Sequence, residues 1–446
     1  MAKDRVQVTG RIATDPASVW ALLGDFTAPW HPLVATIRSE RDARGALIRA
    51  FTVQGEAVTY REQLTYLSDS DRVLGYTHLE GIAGCDRYVA RISVIGAEAG
   101  GSLVTWTAEV SALSNRLQAI CEGTKAVFEA GIAALAVLAP NHRPKPAKFE
   151  VTRLPQLEAR IFDDLPRLAL TVAAPPSHPS PPRGADGGGG WPRQDRLCLF
   201  LHGIGGGRSN WTQQVALAGS TMPAAALDLR GYGDSSLGPR QSTVDDYCAD
   251  ILRVMEVLGA QRLVLVGLSY GSWIATSFAM RYPEMLDGLV LSGGCTGMSE
   301  AGPEEREAFR VSREVPLNAG QVPADFAPAV VKVLAGPKAS EATRQVLHDS
   351  MASIPAATYR DALVCFTNPL ERFNFSRLTM PVLLMTGEHD RLAPPQEIRA
   401  VAGRIWDAAP SPNVRLEVIP GSGHVCNVEE PAVYNRHLLA FLSRLP

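Results

Sequence analysis

Short runs of consecutive apolar residues recur along the C-terminal two-thirds of the chain. They lie at residues 168–172 (LALTV), 197–200 (LCLF), 263–266 (LVLV) and 288–292 (GLVLS). A β-strand that is covered on both faces needs no alternation of polar and apolar side chains, so such runs are typical of buried parallel strands. The pattern predicts a parallel sheet in this part of the chain.

A different pattern covers residues 1 to about 140. Residues 16–26 carry apolar side chains at the spacing of one helical face. Residues 88–94 and 104–110 then alternate between apolar and polar positions, which predicts half-buried antiparallel strands. Residues 114–138 return to helical spacing, which predicts a long amphipathic helix. The order of these elements predicts a separate α+β domain with a helix, a meander of strands and one long closing helix.

Two stretches rich in proline interrupt these patterns. Residues 139–148 (APNHRPKPAK) join the two parts, and we place a linker at 141–148 between domains at 1–140 and 149–446. Residues 174–196 consist almost wholly of proline, glycine, serine and charged residues. Because they lie between two predicted strands of one sheet, we interpret them as a disordered surface insertion rather than a domain boundary.

Composition narrows the classes of protein that fit this chain. Its 446 residues, 46% of them hydrophobic, suffice for two or three domains with ordinary cores. The 43 basic and 46 acidic residues give a net charge of −3 and form no long block of one sign. This balance argues against a nucleic-acid partner and against an anionic membrane surface.

Cysteine usage and the apolar segments predict a cytoplasmic protein. The seven cysteines are odd in number and scattered, without a C-x-x-C pair, which fits reduced thiols better than disulfides or a zinc site. The N-terminal sequence MAKDRVQVTG lacks the apolar segment of a signal peptide, and the longest apolar run, residues 132–139, is too short to cross a bilayer. Neither a metal nor an organic cofactor is expected.

The residues after the run at 263–266 carry the clearest chemical signal. Residues 267–271 (GLSYG) fit the pattern G-x-S-x-G, in which glycines permit a tight turn that presents the serine above the sheet. A serine hydroxyl needs a base, a group that orients the base, and donors for the oxyanion. Asp390 follows the apolar segment PVLLM, and His424 follows the strand-like segment VRLEVI. The chain order serine, aspartate, histidine is that of the α/β-hydrolase arrangement.

Residues 149–446 resemble the α/β-hydrolase superfamily through this turn and through two further motifs, LDLRGYGDS at 227–235 and GEHDRLAP at 387–394. The resemblance implies an α/β-hydrolase fold with a helical lid at about 296–379, where the core pattern pauses. It also implies the site residues: Ser269 as nucleophile, His424 as general base, Asp390 as the carboxylate that orients the imidazole, and the amides of Ile204 and Tyr270 as oxyanion donors.

Each element of this site also has a simpler interpretation. A G-x-S-x-G turn alone is weak evidence of catalysis. His424 could be a surface histidine, and Asp390 could cap the helix that follows it. The three motifs together, in this order and each directly after an apolar strand, favour catalysis over these alternatives. By the same resemblance, His202 and Arg230 are expected to support loops rather than to react.

Residues 1–140 resemble the START-like helix-grip fold of polyketide cyclases, lipid-transfer proteins and plant hormone receptors. The resemblance lies in the segments 12–32, 60–72 (YREQLTYLSDSDR) and 100–110 (GGSLVTWTAEV). It implies a curved sheet around the long helix and an apolar cavity for a hydrophobic small molecule. Five residues are candidates for that cavity, although each also fits a plain core or surface position: Trp30, His31, Glu62, Tyr88 and Trp106.

Together, the pattern and the resemblances predict a serine hydrolase with a small to medium, largely apolar substrate. Cleavage of a carboxylic ester or lactone through an acyl-enzyme is the favoured reaction. C–C bond hydrolysis, thioester hydrolysis and perhydrolysis use the same three residues and stay open, as does a role in binding or sensing a small molecule. Serine at the turn, rather than aspartate, disfavours haloalkane dehalogenation.

Overall fold

The computed structural model of the protein describes residues 1–142, 154–173, 194–370 and 372–445. The chain divides into two compact units, one built mainly from residues before 149 and the other mainly from residues after it. Each unit has its own hydrophobic core. The predicted two-domain architecture is therefore present.

The N-terminal unit consists of one antiparallel sheet and two helices. Its elements are β1 (Ala2–Ile12), α1 (Pro16–Leu23), β2 (Val34–Arg41), β3 (Leu47–Val53), β4 (Thr59–Ser68), β5 (Val73–Glu80), β6 (Cys85–Gly96), β7 (Ser102–Ala112) and α2 (Ser114–Leu138). The strand order is β1-β7-β6-β5-β4-β3-β2, and each neighbouring pair is antiparallel. The predicted helix, meander and long closing helix are all present.

Alternation of side chains explains which face of this sheet is buried. β6 and β7 bury every second side chain along the predicted stretches: Tyr88, Ala90, Ile92, Val94, Val104, Trp106, Ala108 and Val110. The helix α2 packs across β1 and β7, and the ring of Phe128 stacks on that of Trp106 with 4.3 Å between the ring centroids. The core of the unit therefore lies between the long helix and the sheet.

The helical segment Ser114–Asn141 is long and apolar enough to cross a membrane by length and composition alone. The core helix of a globular domain passes the same test. Phe128 and Leu135 of this helix are fully buried in the N-terminal core. Packing within the unit therefore accounts for part of the apolar surface of the helix, while Val127, Val137 and Leu138 remain exposed.

The C-terminal unit alternates strands and helices. Its elements are β8 (Glu158–Phe162), β9 (Leu168–Ala173), β10 (Gln194–Leu201), α3 (Thr212–Ala218), β11 (Ala224–Asp228), α4 (Val244–Leu258), β12 (Ala260–Leu268), α5 (Tyr270–Arg281), β13 (Leu286–Ser292), α6 (Pro303–Asn318), α7 (Pro323–Leu334), α8 (Glu341–Ala352), α9 (Ala356–Thr367), β14 (Val382–Gly387), α10 (Pro395–Ala408), β15 (Val414–Ile419), α11 (Cys426–Glu429) and α12 (Pro431–Leu442).

The C-terminal sheet has the strand order β8-β9-β11-β10-β12-β13-β14-β15. Neighbouring strands from β11 to β14 pair in parallel, whereas β8 and β9 are antiparallel at one edge. The side chains of residues 263–266 are all fully buried, as the uninterrupted apolar run predicted. Because parallel strands end at one edge of a sheet, the loops after β10, β12, β13 and β14 meet there.

The predicted insertion at 174–196 is too long at its C-terminal end. Residues 174–193 lie outside the described residues, but β10 begins at Gln194 and pairs with β12 from Ala260 onward. Arg196, within this strand, forms an ion pair with Asp287. A charged residue at a strand end gives no apolar signal, so the hydrophobic pattern places the start of the strand too late. Residues 143–148 of the predicted linker also lie outside the described residues.

Four helices, α6 to α9, fill the interval between β13 and β14, where the sequence predicted a helical lid. α7 begins at Pro323, since proline is well suited to the first position of a helix. Each of the four helices contributes side chains to a cavity at the carboxyl edge of the sheet.

Candidate active site

The turn between β12 and α5 carries Ser269. Its backbone adopts φ 54° and ψ −114°, and a positive φ is uncommon for residues other than glycine. The Ser269 amide donates a hydrogen bond of 2.7 Å to the carbonyl of Ser292, at the end of β13. A side chain on Gly271 would overlap the carbonyl of Leu201. The glycine therefore permits the close approach of β10 that this tight turn requires.

Asp390 lies in the loop after β14, and His424 lies in the loop after β15. The Asp390 carboxylate accepts hydrogen bonds from the amides of Leu392 and Ala393 at 2.8 and 2.9 Å, and it lies 2.9 Å from Nδ1 of His424. Burial raises the pKa of Asp390, but the charge and hydrogen bond of His424 and the two amides outweigh burial and hold this pKa below its ordinary value. Because an ionised carboxylate can only accept, Nδ1 of His424 carries the proton.

This tautomer leaves the other ring nitrogen of His424, Nε2, as a hydrogen-bond acceptor. Nε2 is buried and has no hydrogen-bond partner among the described residues, so it makes no bond to Ser269, although both residues line one cavity. Hydrogen bonds between catalytic groups are often long without substrate and tighten in the complex. A buried acceptor without a partner, in the same cavity as a serine, is suited to take the proton of that serine.

The cavity has a volume of about 280 Å³. Ile204, Ser269, Tyr270 and His424 all line it. Within the described part of the chain, the amides of Ile204 and Tyr270 donate no backbone hydrogen bond. Tyr270 is the first residue of α5, and first-turn amides have no acceptor within their own helix. The structure thus brings the predicted serine, histidine and two amide donors to one cavity, with Asp390 bonded to the histidine.

Residues 197–431 match a family model described as the alpha/beta hydrolase fold. The chain belongs to this family. Residues 3–139 match a second model, described as polyketide cyclase / dehydrase and lipid transport. Both resemblances predicted from the sequence are therefore confirmed, one for each domain.

Similar proteins agree with the assignment of the α/β-hydrolase domain. A relative from Serratia proteamaculans, 2-succinyl-6-hydroxy-2,4-cyclohexadiene-1-carboxylate synthase, is 28% identical over 255 residues, which are 55% of this chain and 92% of the relative. The structure of an esterase from Thermogutta terrifontis matches 65% of this chain and 98% of its own at 22% identity, with a TM-score of 0.53. An enol-lactonase structure from Burkholderia xenovorans matches 62% and 96% at 20% identity, with a TM-score of 0.50. At these identities the two structures show the fold alone.

A carboxylate that the sequence analysis did not single out holds the α/β-hydrolase loop that bears His424. Glu429 accepts hydrogen bonds of 3.0, 3.2 and 2.6 Å from three backbone amides, those of Gly423, Val425 and Gly336. The His424 amide donates a bond of 2.7 Å to the carbonyl of Leu334. The histidine loop is thereby tied to the end of α7. An acidic residue shortly after the histidine was the only sequence signal for this contact.

Gly293 lies directly against the imidazole of His424. Its φ is +57°, and a Cβ atom on it would lie 3.2 Å from Cε1 of His424 and 3.1 Å from the carbonyl oxygen of the same residue. Both the backbone conformation and the lack of space therefore favour glycine at this position.

The sequence at 292–296 (SGGCT) offers no carboxylate that could orient the histidine in place of Asp390.

Lid helices supply much of the apolar lining of the α/β-hydrolase cavity, which the sequence analysis left unassigned. The lining includes apolar residues from all four helices: Phe309, Val330, Leu347, Met351, Leu363 and Phe366. The spacing of apolar residues shows that a helix has a buried face, but it does not show which cavity that face lines.

Two charged side chains, Arg313 of α6 and Glu397 of α10, also line the cavity. Sequence reasoning missed both, because each lies on a helix that carries many other charged residues. Within the described residues, no group of three or more histidine, cysteine, aspartate or glutamate side chains is placed to hold a metal ion.

His202 and Arg230 make contacts within the loops of the α/β-hydrolase domain. The Leu229 amide donates to Nε2 of His202 at 3.0 Å, so Nδ1 carries the proton and donates to the carbonyl of Gly203 at 2.8 Å. Burial lowers the pKa of His202, which keeps the ring neutral. Arg230 forms an ion pair with Asp250.

The N-terminal candidates lie in or beside the core of their own domain. Three of them are buried aromatic residues: Trp30, Tyr88 and Trp106. Glu62 is also buried and lies 2.6 Å from the guanidinium of Arg49, which in turn lies 4.4 Å from the ring centroid of Phe26. His31 is half-buried, with Nε2 3.0 Å from the carbonyl oxygen of Val127. The domain thus holds a buried ion pair among aromatic rings.

Proposed function

We propose that the C-terminal domain is a serine hydrolase that cleaves a carboxylic ester or lactone of a small to medium, largely apolar molecule. The observation that carries the proposal is the buried, unpartnered Nε2 of His424, whose ring is held by Asp390, in the cavity that Ser269 also lines. Membership of the α/β-hydrolase family supports hydrolysis. The apolar lid residues around the cavity support the class of substrate.

In the proposed first step, Oγ of Ser269 attacks the carbonyl carbon of the ester while Nε2 of His424 takes the serine proton. The amides of Ile204 and Tyr270 stabilise the negative charge that develops on the carbonyl oxygen. The tetrahedral intermediate then collapses, and the imidazolium gives its proton to the leaving alkoxide. The acyl group remains on Ser269.

In the second step, a water molecule attacks the acyl carbon as His424 takes one of its protons. Collapse of this second intermediate releases the carboxylic acid and returns the proton to Ser269. Asp390 stabilises the imidazolium in both steps, since its lowered pKa keeps the carboxylate charged at neutral pH.

A fluorophosphonate probe tests this proposal at Ser269. The probe should label Ser269 in the unmodified protein, and Ser269→Ala should lose both labelling and turnover of p-nitrophenyl esters while its circular dichroism is unchanged. Ser277→Ala is the matched control, because Ser277 lies on α5 with a buried hydroxyl that has no partner among the described residues. Full ester turnover by Ser269→Ala would refute the mechanism.

We propose a separate role for residues 1 to about 140, the binding of a hydrophobic small molecule. The family description, which includes lipid transport, supports this role. The buried pair of Arg49 and Glu62 supports a ligand that carries a polar group, because a core that only stabilises the fold gains little from a buried ion pair. No residue of the proposed hydrolytic site comes from this domain.

A further inference from the structure

Arg313 places a cation in the candidate active site. It lies on α6, in the lid, and lines the cavity together with Ser269 and His424. Its guanidinium lies over the ring of Phe309, 3.5 Å from the ring centroid, and Phe309 lines the same cavity. The side chain is half-buried. A charge therefore stands in a cavity whose other lid residues are largely apolar.

The hydrogen bonds of Arg313 leave most of its guanidinium unpaired. Nη1 donates to the carbonyl of Phe309 at 3.1 Å and to Oγ of Ser312 at 3.2 Å. No carboxylate within the described part of the chain forms an ion pair with it. Burial lowers the pKa of Arg313 without a carboxylate to offset it, yet arginine stays protonated in proteins. A half-buried cation without a counter-ion is unfavourable unless a ligand supplies one.

Arg310, on the same helix, forms the ion pairs with glutamate that Arg313 lacks. Its guanidinium lies 2.7 Å from Glu307 and 3.0 Å from Glu314, and it is absent from the cavity lining. α6 therefore has acidic residues that could pair with an arginine, and they pair with Arg310 rather than Arg313. The lack of an ion pair therefore distinguishes Arg313, which lines the cavity, from Arg310, which does not.

The other ionisable groups of the cavity do not neutralise Arg313. They are Cys295, Tyr270, Tyr359, His424 and Glu397. Glu397 is the one carboxyl group among them, and it forms no ion pair with Arg313. Burial and the nearby carboxylates of Asp390 and Glu300 raise the pKa of Glu397. Arg313 is the one arginine or lysine among the described residues that line the cavity, and it forms no ion pair with the carboxyl group of the lining.

We propose that Arg313 binds a carboxylate of the substrate, so that the hydrolase acts on an ester or lactone that also carries a carboxylate group. This inference rests on the proposed function and names the substrate class of the same site. The planar fork of a guanidinium matches a carboxylate in two parallel hydrogen bonds. A single arginine suits the single charge of a carboxylate better than the higher charge of a phosphate monoester. The apolar lid residues then contact the chain between the carboxylate and the ester.

Three p-nitrophenyl esters of matched length test the proposal: the monoester of hexanedioic acid, its primary amide, and the hexanoate. We expect kcat/KM for the monoester to exceed that for the amide in the unmodified enzyme. Arg313→Met should lower kcat/KM for the monoester about 10- to 100-fold, the range of a hydrogen bond to a charged group. It should change the values for the two neutral esters less than about threefold. Arg313→Lys should retain part of the preference, since it keeps the charge without the fork.

Arg310→Met is the matched control and should leave all three values unchanged. If the enzyme turns over the neutral esters but shows no preference for the anionic one, or if Arg313→Met keeps the preference, the inference is wrong and the proposed hydrolase activity stands. If the proposed hydrolase function itself is wrong, the enzyme turns over no ester and fluorophosphonate does not label Ser269.

If no ester is turned over, binding of a dicarboxylate tests whether Arg313 recognises a carboxylate. Calorimetry with hexanedioate compares Ser269→Ala with the double variant Ser269→Ala/Arg313→Met, and neither protein needs to turn over substrate. Binding that is at least about tenfold weaker in the double variant supports carboxylate recognition by Arg313. Equal binding, or no binding to either protein, overturns it.

Discussion

Asp390 holds His424 in one tautomer, and its own position is fixed by two backbone amides. The carboxylate lies 2.9 Å from Nδ1 of His424 and accepts from the amides of Leu392 and Ala393. Asp390 does not cap α10, whose N-cap residue is Pro394, but it stabilises the turn before that helix and bonds the histidine. A substitution at this residue should therefore affect the histidine more than the fold.

Asp390→Asn should lower kcat by several orders of magnitude, about 10⁴-fold in the best-studied triads. An asparagine amide can donate to Nδ1, which moves the ring proton to Nε2 and removes the acceptor that Ser269 needs. The measurement is kcat with a small activated ester, and Asp407→Asn, an exposed change on α10, is the control. A loss smaller than roughly tenfold would mean that another group orients the histidine.

Individual residues of the site differ in how far the sequence predicted them. Ser269, Asp390 and His424 follow apolar strands and carry local motifs, so the sequence predicts the role of each without the fold. Glu429 and Arg313 carry no such motif. Their importance depends on what they contact, the amide of Gly336 in one case and the cavity in the other.

At the scale of elements, the short helix α11 positions the loop that precedes it. Glu429 ends α11, and its carboxylate accepts from amides on both sides of His424 and from Gly336 after α7. An ionised acceptor makes such bonds stronger than a neutral one. The geometry of the histidine thus depends on a contact between two elements that are distant in sequence.

Glu429→Ala should lower kcat about tenfold or more, with a much smaller change in KM, because three amides lose their acceptor and the histidine loop becomes less ordered. Glu429→Gln, which keeps one carbonyl oxygen, should be affected less. The rate of fluorophosphonate labelling at Ser269 should fall in parallel with kcat. Glu430→Ala changes the neighbouring glutamate and should leave both rates unchanged. A parallel loss of kcat in Glu430→Ala would refute the specific role of Glu429.

At the scale of the whole molecule, the two domains differ in fold, family and chemistry. Each has its own core, and the cavity is lined only by residues between Gly203 and Val425. The N-terminal domain contributes a buried ion pair and aromatic residues instead. This separation favours independent functions for the two parts.

A chain that begins near Lys148 should fold and hydrolyse a small p-nitrophenyl ester, because the hydrolase sheet has its own core. We expect kcat/KM for that ester to stay close to the full-length value, because every residue that lines the cavity is kept in the shortened chain. Residues 1–142 alone should bind an environment-sensitive apolar dye with saturable affinity. If the shortened hydrolase folds but turns over no small ester, the two domains share one active site and the proposed division of roles is wrong.

The sequence by itself determined the class of each domain and the chemistry of three side chains. Uninterrupted apolar runs, strict alternation and helical spacing are local properties, so they identify β12, β6, β7 and α2 without any knowledge of neighbours. The glycines of the turn at Ser269 are local as well. The chain order of Ser269, Asp390 and His424 follows directly from the positions of their strands.

Tertiary structure decided the rest, because the remaining features join residues that are far apart along the chain. The start of β10 at Gln194 depends on pairing with β12, the fixed histidine loop depends on Glu429 reaching Gly336, and the cation in the cavity depends on which face of α6 turns inward. Hydrophobic periodicity shows that a helix has a buried face, but only packing shows what that face contacts. That Arg313 forms no ion pair with the described carboxylates is therefore visible only in the folded chain.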